Sequence, residues 1–160
     1  MKRYGIIAVC TATLLAACAS AGQNAGVATA TRLERSIGVG SPNDVRDRSL
    51  KVIRMHLYEL LREEGPPNIY FETRWRDRAP FADEAAMGIA KAQTRVIVRA
   101  TPRSSASIGD VYSVDLTIEN RVQRTDNATW DPTVATPMYG EYVNRIVQDL
   151  KNELQIGVRR

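Results

Sequence analysis

Hydrophobic and polar residues alternate along three stretches in the middle of the chain. The clearest stretch covers residues 111–122, and residues 69–76 and 95–101 show the same period of two. This period puts successive side chains on opposite faces of a β-strand. An apolar face opposite a charged one is typical of antiparallel strands with one side in solvent. The pattern therefore predicts an antiparallel sheet of about three strands with one covered face.

Two further segments have the spacing of amphipathic helices. The first follows Ser41-Pro42, a hydroxyl cap with proline in the first turn, and its apolar stripe continues to Leu61 before Gly65 ends it. The second follows Thr136-Pro137 and ends at Gly157. We expect both helices to cover the apolar face of the sheet. The predicted fold is an α+β two-layer sandwich in the order α-β-β-β-α.

The segments between these elements are expected to be loops. Residues 79–93 have weak apolar spacing and predict a long hairpin loop with room for a helical turn, and residues 102–110 predict a flexible turn. Residues 124–135 form another predicted loop, which carries Trp130. Because a tryptophan has a large apolar area, we expect Trp130 to cover the core, with an exposed contact as the alternative.

The first twenty residues have the pattern of an export signal. Lys2 and Arg3 precede an apolar stretch, and Leu15-Ala16-Ala17-Cys18 closes it. This segment resembles the lipobox signal peptide of bacterial lipoproteins. An ordinary secretory signal, cut at Ala17 or Ala19, is the alternative. A transmembrane helix needs roughly 17 to 25 apolar residues, and the run from Tyr4 to Ala19 is shorter and contains threonines.

The resemblance implies a processed and lipidated chain. Cleavage between Ala17 and Cys18 would remove residues 1–17, and Cys18 would carry a diacylglyceryl group and an N-acyl chain. Residues 18–40 are then a flexible, lipidated tether, and residues 41–160 form one α+β domain. With Ala19 rather than aspartate after the cysteine, the resemblance favours the outer membrane, facing the periplasm, over the inner membrane.

Charge and cysteine content exclude several kinds of site. Removal of Lys2 and Arg3 would reduce 22 basic residues to 20 against 18 acidic ones, so the chain lacks the strong basic excess that favours nucleic acid. Cys10 lies in the removed segment and Cys18 would be acylated, which leaves no thiol for zinc. His56 is the only histidine and is expected to be structural. We therefore expect no metal, no nucleic acid and no cofactor besides the lipid.

Residue patterns of known catalytic sites are absent from the sequence. It has neither a Gly-x-Ser-x-Gly elbow nor a phosphate-binding glycine loop, and the adjacent acids Asp83-Glu84 are expected to be exposed. We therefore expect a non-catalytic protein with no catalytic residues.

Two non-catalytic functions remain open. One is an accessory or assembly lipoprotein that docks onto an envelope protein, with the lipopolysaccharide-assembly lipoproteins as a fold-level analogue. The other is a ligand-binding module that uses the charged sheet face or a groove near Trp130. On that face we expect Arg95 and Arg99 to pair across strands with Asp115 or Glu119. These four residues and Trp130 form the predicted interaction surface.

Overall fold

A computed structural model describes residues 30–103, 111–132 and 135–158 of the chain. The described residues form one antiparallel sheet and three helices. The elements in chain order are strand β1 (Thr31–Gly40), helix α1 (Pro42–Met55), strands β2 (Leu60–Glu64), β3 (Ile69–Thr73) and β4 (Arg76–Arg78), helix α2 (Ala82–Ala86), strands β5 (Ile89–Pro102), β6 (Tyr112–Arg124) and β7 (Asn127–Asp131), and helix α3 (Pro137–Val158).

The sheet is built around the long hairpin of β5 and β6. Its strand order is β1-β6-β5-β3-β2, with β4 beside the first half of β5 and β7 beside the end of β6. Arg95 and Glu119 are directly opposite each other across β5 and β6, as are Arg99 and Asp115. Strands β1 and β2 therefore lie at opposite edges of the sheet.

The hydrophobic core lies between one face of the sheet and the helices. Burying a large apolar side chain stabilises the fold by roughly 1.5 to 3 kcal/mol, so this layer supplies most of the driving force for folding. Side chains from β6, β5, β3, α1 and α3 that are almost fully buried include Val114, Leu116, Ile118, Val98, Phe71, Val45, Tyr139, Ile146 and Leu150.

Both helix starts predicted from cap signals are confirmed. The Asp44 N–H donates to the Ser41 hydroxyl at 3.1 Å, and Pro42 occupies the first turn of α1. The Tyr139 N–H likewise donates to the Thr136 hydroxyl at 3.3 Å, at the start of α3. In both helices a hydroxyl satisfies a backbone donor that has no partner inside the helix.

The predicted fold class is wrong, since the sheet has seven strands rather than about three and there are three helices rather than two. One cause is the early end of α1 at Met55. The Tyr58 N–H donates back to the Ile53 carbonyl at 3.0 Å, across Leu57 with its φ of 58°, and this arrangement closes the helix. The last leucines of the predicted helical stripe therefore lie in β2, a strand covering Leu60–Glu64.

The predicted tether is also wrong over its last ten residues. Residues 31–40 form β1 and pair with β6, so they belong to the folded domain and not to a tether. This segment contributes little apolar surface, with Ile37 as its buried hydrophobic residue. The backbone of β1 forms its hydrogen bonds with β6, which is distant in the chain. The sequence of β1 alone therefore does not indicate that a partner strand exists.

Residues 79–93 and 124–132 contain more regular structure than predicted, and residues 133–134 lie outside the described part of the chain. The first segment contains α2 and the start of β5, and the second contains β7. The lipobox Leu15–Cys18 lies outside the described residues. Among the residues that are described, no helix is long and apolar enough to cross a membrane.

Candidate functional site on the open face of the sheet

The face of the sheet opposite α1 and α3 is rich in polar side chains, and we call it the open face. Alternation along β5 and β6 directs apolar residues to the core and charged residues to this face. Arg95, Arg99, Asp115 and Glu119 all lie on it, as the period of two predicts. Three regions differ in their chemistry, namely a closed row, a tryptophan stack and a groove.

The closed row is a chain of ion pairs that crosses four strands. Arg95 on β5 donates to Glu72 on β3 at 2.5 Å and, through Nε, to Glu119 on β6 at 2.6 Å. Glu119 also accepts from Nη2 of Arg32 on β1 at 2.9 Å. Each charge in the centre of the row therefore has an opposite charge on a neighbouring strand. Arg95 and Glu119 form one of the predicted cross-strand pairs.

Glu119 is held in its charged form by this row. Its side chain is only 7% exposed, and burial by itself would raise the pKa of the carboxyl. The hydrogen bonds from Arg95 and Arg32 outweigh burial and hold the pKa of Glu119 below the ordinary value of 4.5. The buried carboxylate is therefore a structural group of the sheet.

The tryptophan stack lies beside the closed row and contains both tryptophans of the chain. The guanidinium of Arg121 lies 4.1 Å from the ring centroid of Trp75 and 5.0 Å from that of Trp130, and Arg95 lies 4.8 Å from Trp75. These are cation–π distances. Burial and the neighbouring charge of Arg95 lower the pKa of the Arg121 guanidinium. Trp130 is half-buried on the open face, so the expectation that it covers the core is wrong.

The groove lies on the other side of the closed row, between β1, β6 and β5. Its volume is about 440 Å³. Arg99 and Asp115 are opposite each other in the groove, yet they form no ion pair within the described part of the chain. Thr117, which is 5% exposed, lies at the end of the groove that is nearer to the tryptophan stack. It is four residues along β6 from Arg121, the residue that Trp130 contacts, and this spacing corresponds to about 13 Å. The groove is therefore separate from Trp130. Its lining residues are Glu34, Arg35, Ser36, Arg99, Thr101, Asp115 and Thr117.

The predicted interaction surface is thus divided among the three regions. Arg95 and Glu119 belong to the closed row, Arg99 and Asp115 to the groove, and Trp130 to the stack. The predicted surface does not include Arg32, which lies in the segment predicted to be a tether, and it does not include Trp75 or Arg121. A signal for Trp75 and Arg121 was present, since both lie within stretches of alternating residues and Trp75 is one of two tryptophans in the chain.

A buried ion pair connects α2 to the sheet. Arg78 makes two hydrogen bonds of 2.6 Å to Glu84, and it donates to the Asn120 side chain at 3.1 Å. Glu84 is fully buried, so the prediction that Asp83-Glu84 is simply exposed is wrong for Glu84. The backbone N–H of Phe81 also donates to Glu84 at 2.9 Å. A carboxylate with a bidentate arginine and a backbone donor satisfies its charge inside the protein, and it fixes the start of α2.

His56 has a partner on the opposite helix. Its Nε2 lies 2.8 Å from the Asp149 carboxylate and links the end of α1 to α3. Within residues 30–103, 111–132 and 135–158, no three His, Cys, Asp or Glu side chains are grouped to hold a metal ion.

No protein-family model matches this chain, and a search of curated proteins finds none similar to it. Its function is therefore inferred from its own residues and geometry.

Proposed function

We propose that this chain is a lipid-anchored lipoprotein of the bacterial envelope that docks onto an envelope protein without catalysing a reaction. Cys18 is the lipidated residue in this proposal, and Ala17 precedes the cleaved bond. The lipobox pattern supports the anchor. The docking role is supported by the outer edge of β1, which no strand of the described part covers.

Strand β1 is the better docking edge of the two. It is ten residues long, and its outer side offers backbone donors and acceptors from Arg32 onward. Strand β2, at the opposite edge, is five residues long and ends in Arg62, Glu63 and Glu64. Both edges carry three charged residues, so length is the difference between them. Short edge strands discourage pairing, whereas a long edge allows a partner strand to be added. The partner is therefore expected to contribute an extended segment along β1.

The position of β1 in the chain also favours docking near the membrane. Twelve residues separate Cys18 from Thr31. A chain of this length spans at most about 45 Å even when it is fully extended. The lipid would therefore hold the beginning of β1 close to the membrane surface, where envelope assemblies are also anchored. Ala19 after the cysteine supports the outer membrane as the location.

Site-specific photo-crosslinking in cells tests the docking edge. A photoreactive amino acid at Val39, an exposed position on β1, is expected to capture one discrete envelope protein. Gln148, exposed on α3, is the matched control and is expected to capture none. Crosslinks at Gln148 with none at Val39 would contradict docking through β1.

Replacement of Cys18 by alanine tests the anchor. The variant should lose its acyl mass and remain unprocessed, and its lipid-dependent sedimentation with outer membranes should disappear. Mass spectrometry of the native protein is the direct measurement. An unmodified sulfur at Cys18 in mature protein would refute the anchor.

A ligand-binding function is a second candidate, and the groove is the observation that favours it. Arg99 and Asp115 present opposite charges there without neutralising each other. This function requires neither a partner strand along the outer edge of β1 nor the lipid. It uses this groove and not the predicted groove near Trp130, because Thr117 in the groove lies about 13 Å along β6 from Arg121, which Trp130 contacts.

A further inference from the structure

Two cross-strand pairs on the open face have the same chemistry but different structures. Arg95 is opposite Glu119, and Arg99 is opposite Asp115, on the same two strands. The first pair is joined at 2.6 Å. The second forms no ion pair among the described residues, although directly opposed charges on a sheet commonly attract each other. The groove therefore contains a cation and an anion that are both available to a ligand.

The neighbouring strands explain why the second pair stays apart. Asp115 faces Ser36 on β1, whereas Glu119 faces Arg32 at the equivalent position. Arg99 lies against the ring of Tyr70 on β3, with its guanidinium 5.5 Å from the ring centroid. Arg99 is thus held on the β3 side, and Asp115 lacks the second cation that Glu119 has.

The rest of the groove adds hydrogen-bonding groups around these charges. Ser36 and Thr101 line it with hydroxyls, and Arg35 adds a cation from β1. The Nη1 atom of Arg35 donates to the backbone carbonyl of Glu34 at 2.8 Å, which holds this side chain along β1. A volume of about 440 Å³ lies within the usual range of small-ligand sites.

We propose that the groove binds an α-amino acid head group, with the ligand carboxylate on Arg99 and the ligand ammonium on Asp115. Opposed residues in an antiparallel pair have Cα atoms roughly 4.5 to 5.5 Å apart. Arg99 and Asp115 line one groove without pairing with each other, and this arrangement matches a ligand that has a carboxylate and an ammonium attached to one carbon atom. A simple anion is repelled by Asp115, and a simple cation is repelled by Arg99. The groove is larger than one head group, so a side chain or an attached molecule also fits.

Titration of the full-length chain in detergent micelles, followed by NMR chemical shifts, tests this proposal. Glycine is the probe for a free amino acid, and Nε-acetyl-lysine is the probe for a head group on a longer molecule. Acetate and methylamine, with one charge each, are the control ligands. Both zwitterions are expected to give saturable shifts in groove residues and to bind about tenfold or more tightly than either control.

Variants show whether the two charges carry the binding. Asp115→Asn and Arg99→Gln are each expected to weaken glycine binding about tenfold or more. The matched controls Asp47→Asn and Arg54→Gln change exposed residues of α1 on the other side of the molecule and should leave binding unchanged. Unchanged thermal unfolding of the groove variants verifies that they are folded.

The outcomes distinguish a free amino acid from a head group on a larger molecule. They also distinguish failure of ligand binding in the groove from failure of docking along β1. Equal affinity for both zwitterions would support a free amino acid, and tighter binding of Nε-acetyl-lysine would support a head group on a larger molecule. Absence of saturable shifts, or acetate binding as tightly as glycine, would overturn the proposal. Crosslinking from Val39 does not depend on these results, so failure of the groove and failure of the docking edge are distinguishable.

Discussion

The closed row and the groove differ although their central residues are an arginine on β5 and an acid on β6. Glu119 has two arginine partners on neighbouring strands, whereas Asp115 has none in the described part of the chain. The register of β5 and β6 places opposite charges next to each other, but residues on the neighbouring strands β1 and β3 determine whether those charges pair. The comparison indicates that the closed row stabilises the sheet and that the groove leaves its charges accessible.

Because Glu119 is buried and Asp115 is exposed, the two acids are also expected to differ in how much they stabilise the fold. An exposed cross-strand pair contributes only about 0.2 to 1 kcal/mol. Glu119 is 7% exposed, so the loss of its carboxylate would leave Arg95 half-buried with fewer partners. Asp115 is exposed, and its loss would leave no buried group without a partner.

The largest expected effect is that of Glu119→Ala. Because Arg95 and Arg32 lose their shared acceptor, we expect the free energy of unfolding to fall by about 2 kcal/mol. Urea denaturation measures this change, and Asp47→Ala on the exposed side of α1 is the control, with a change within about 0.5 kcal/mol. Equal effects at the two positions would show that the closed row is not structural.

The next effect is a loss of stability in acid. Because the pKa of Glu119 is lowered in the folded state, the folded protein binds fewer protons at this site than the unfolded chain does. Its contribution is complete above pH 4.5, the ordinary glutamate value, and is lost as the pH falls through the lower folded pKa. Glu119→Gln should therefore flatten the decline in stability below that pH. An acid profile unchanged by Glu119→Gln would contradict this assignment.

Ser36→Arg is expected to convert the groove into a second closed row. Ser36 stands opposite Asp115 just as Arg32 stands opposite Glu119. The new arginine should stabilise the protein by about 0.2 to 1 kcal/mol and weaken glycine binding. Ser36→Gln, with a long uncharged side chain, is the matched control. Equal glycine affinity in the two variants would show that pairing Asp115 with an arginine at position 36 does not affect ligand binding.

The smallest expected effect on stability is that of Asp115→Asn. Since Asp115 is exposed and without an ion pair among the described residues, the free energy of unfolding should change by less than about 0.5 kcal/mol. Thermal unfolding measures it. A loss as large as that of Glu119→Ala would mean that Asp115 is already paired in solution.

The sequence predicted those helices and strands that depend on residues close to one another in the chain. Ser41-Pro42 and Thr136-Pro137 start α1 and α3 because their caps act within one helical turn. The alternation in residues 111–122 predicts β6 because its apolar positions meet the core. Strand β1 could not be predicted in this way, since its partner β6 lies about eighty residues away in the chain.

The candidate site was predictable to a similar extent. The period of two brought Arg95, Arg99, Asp115 and Glu119 to one face, and the Arg95–Glu119 pair is confirmed. The separation of Arg99 from Asp115 depends on Ser36 and Tyr70, which lie on two other strands. No pattern within β5 or β6 contains that information.

Double-mutant cycles on the two cross-strand pairs test the difference between the closed row and the groove most directly. One cycle uses Arg95→Gln with Glu119→Gln, and the other uses Arg99→Gln with Asp115→Asn, with the free energy of unfolding as the measurement. We expect a coupling of about 0.5 kcal/mol or more in the first cycle and within about 0.3 kcal/mol of zero in the second. Equal couplings, or a stronger coupling between Arg99 and Asp115, would contradict the account.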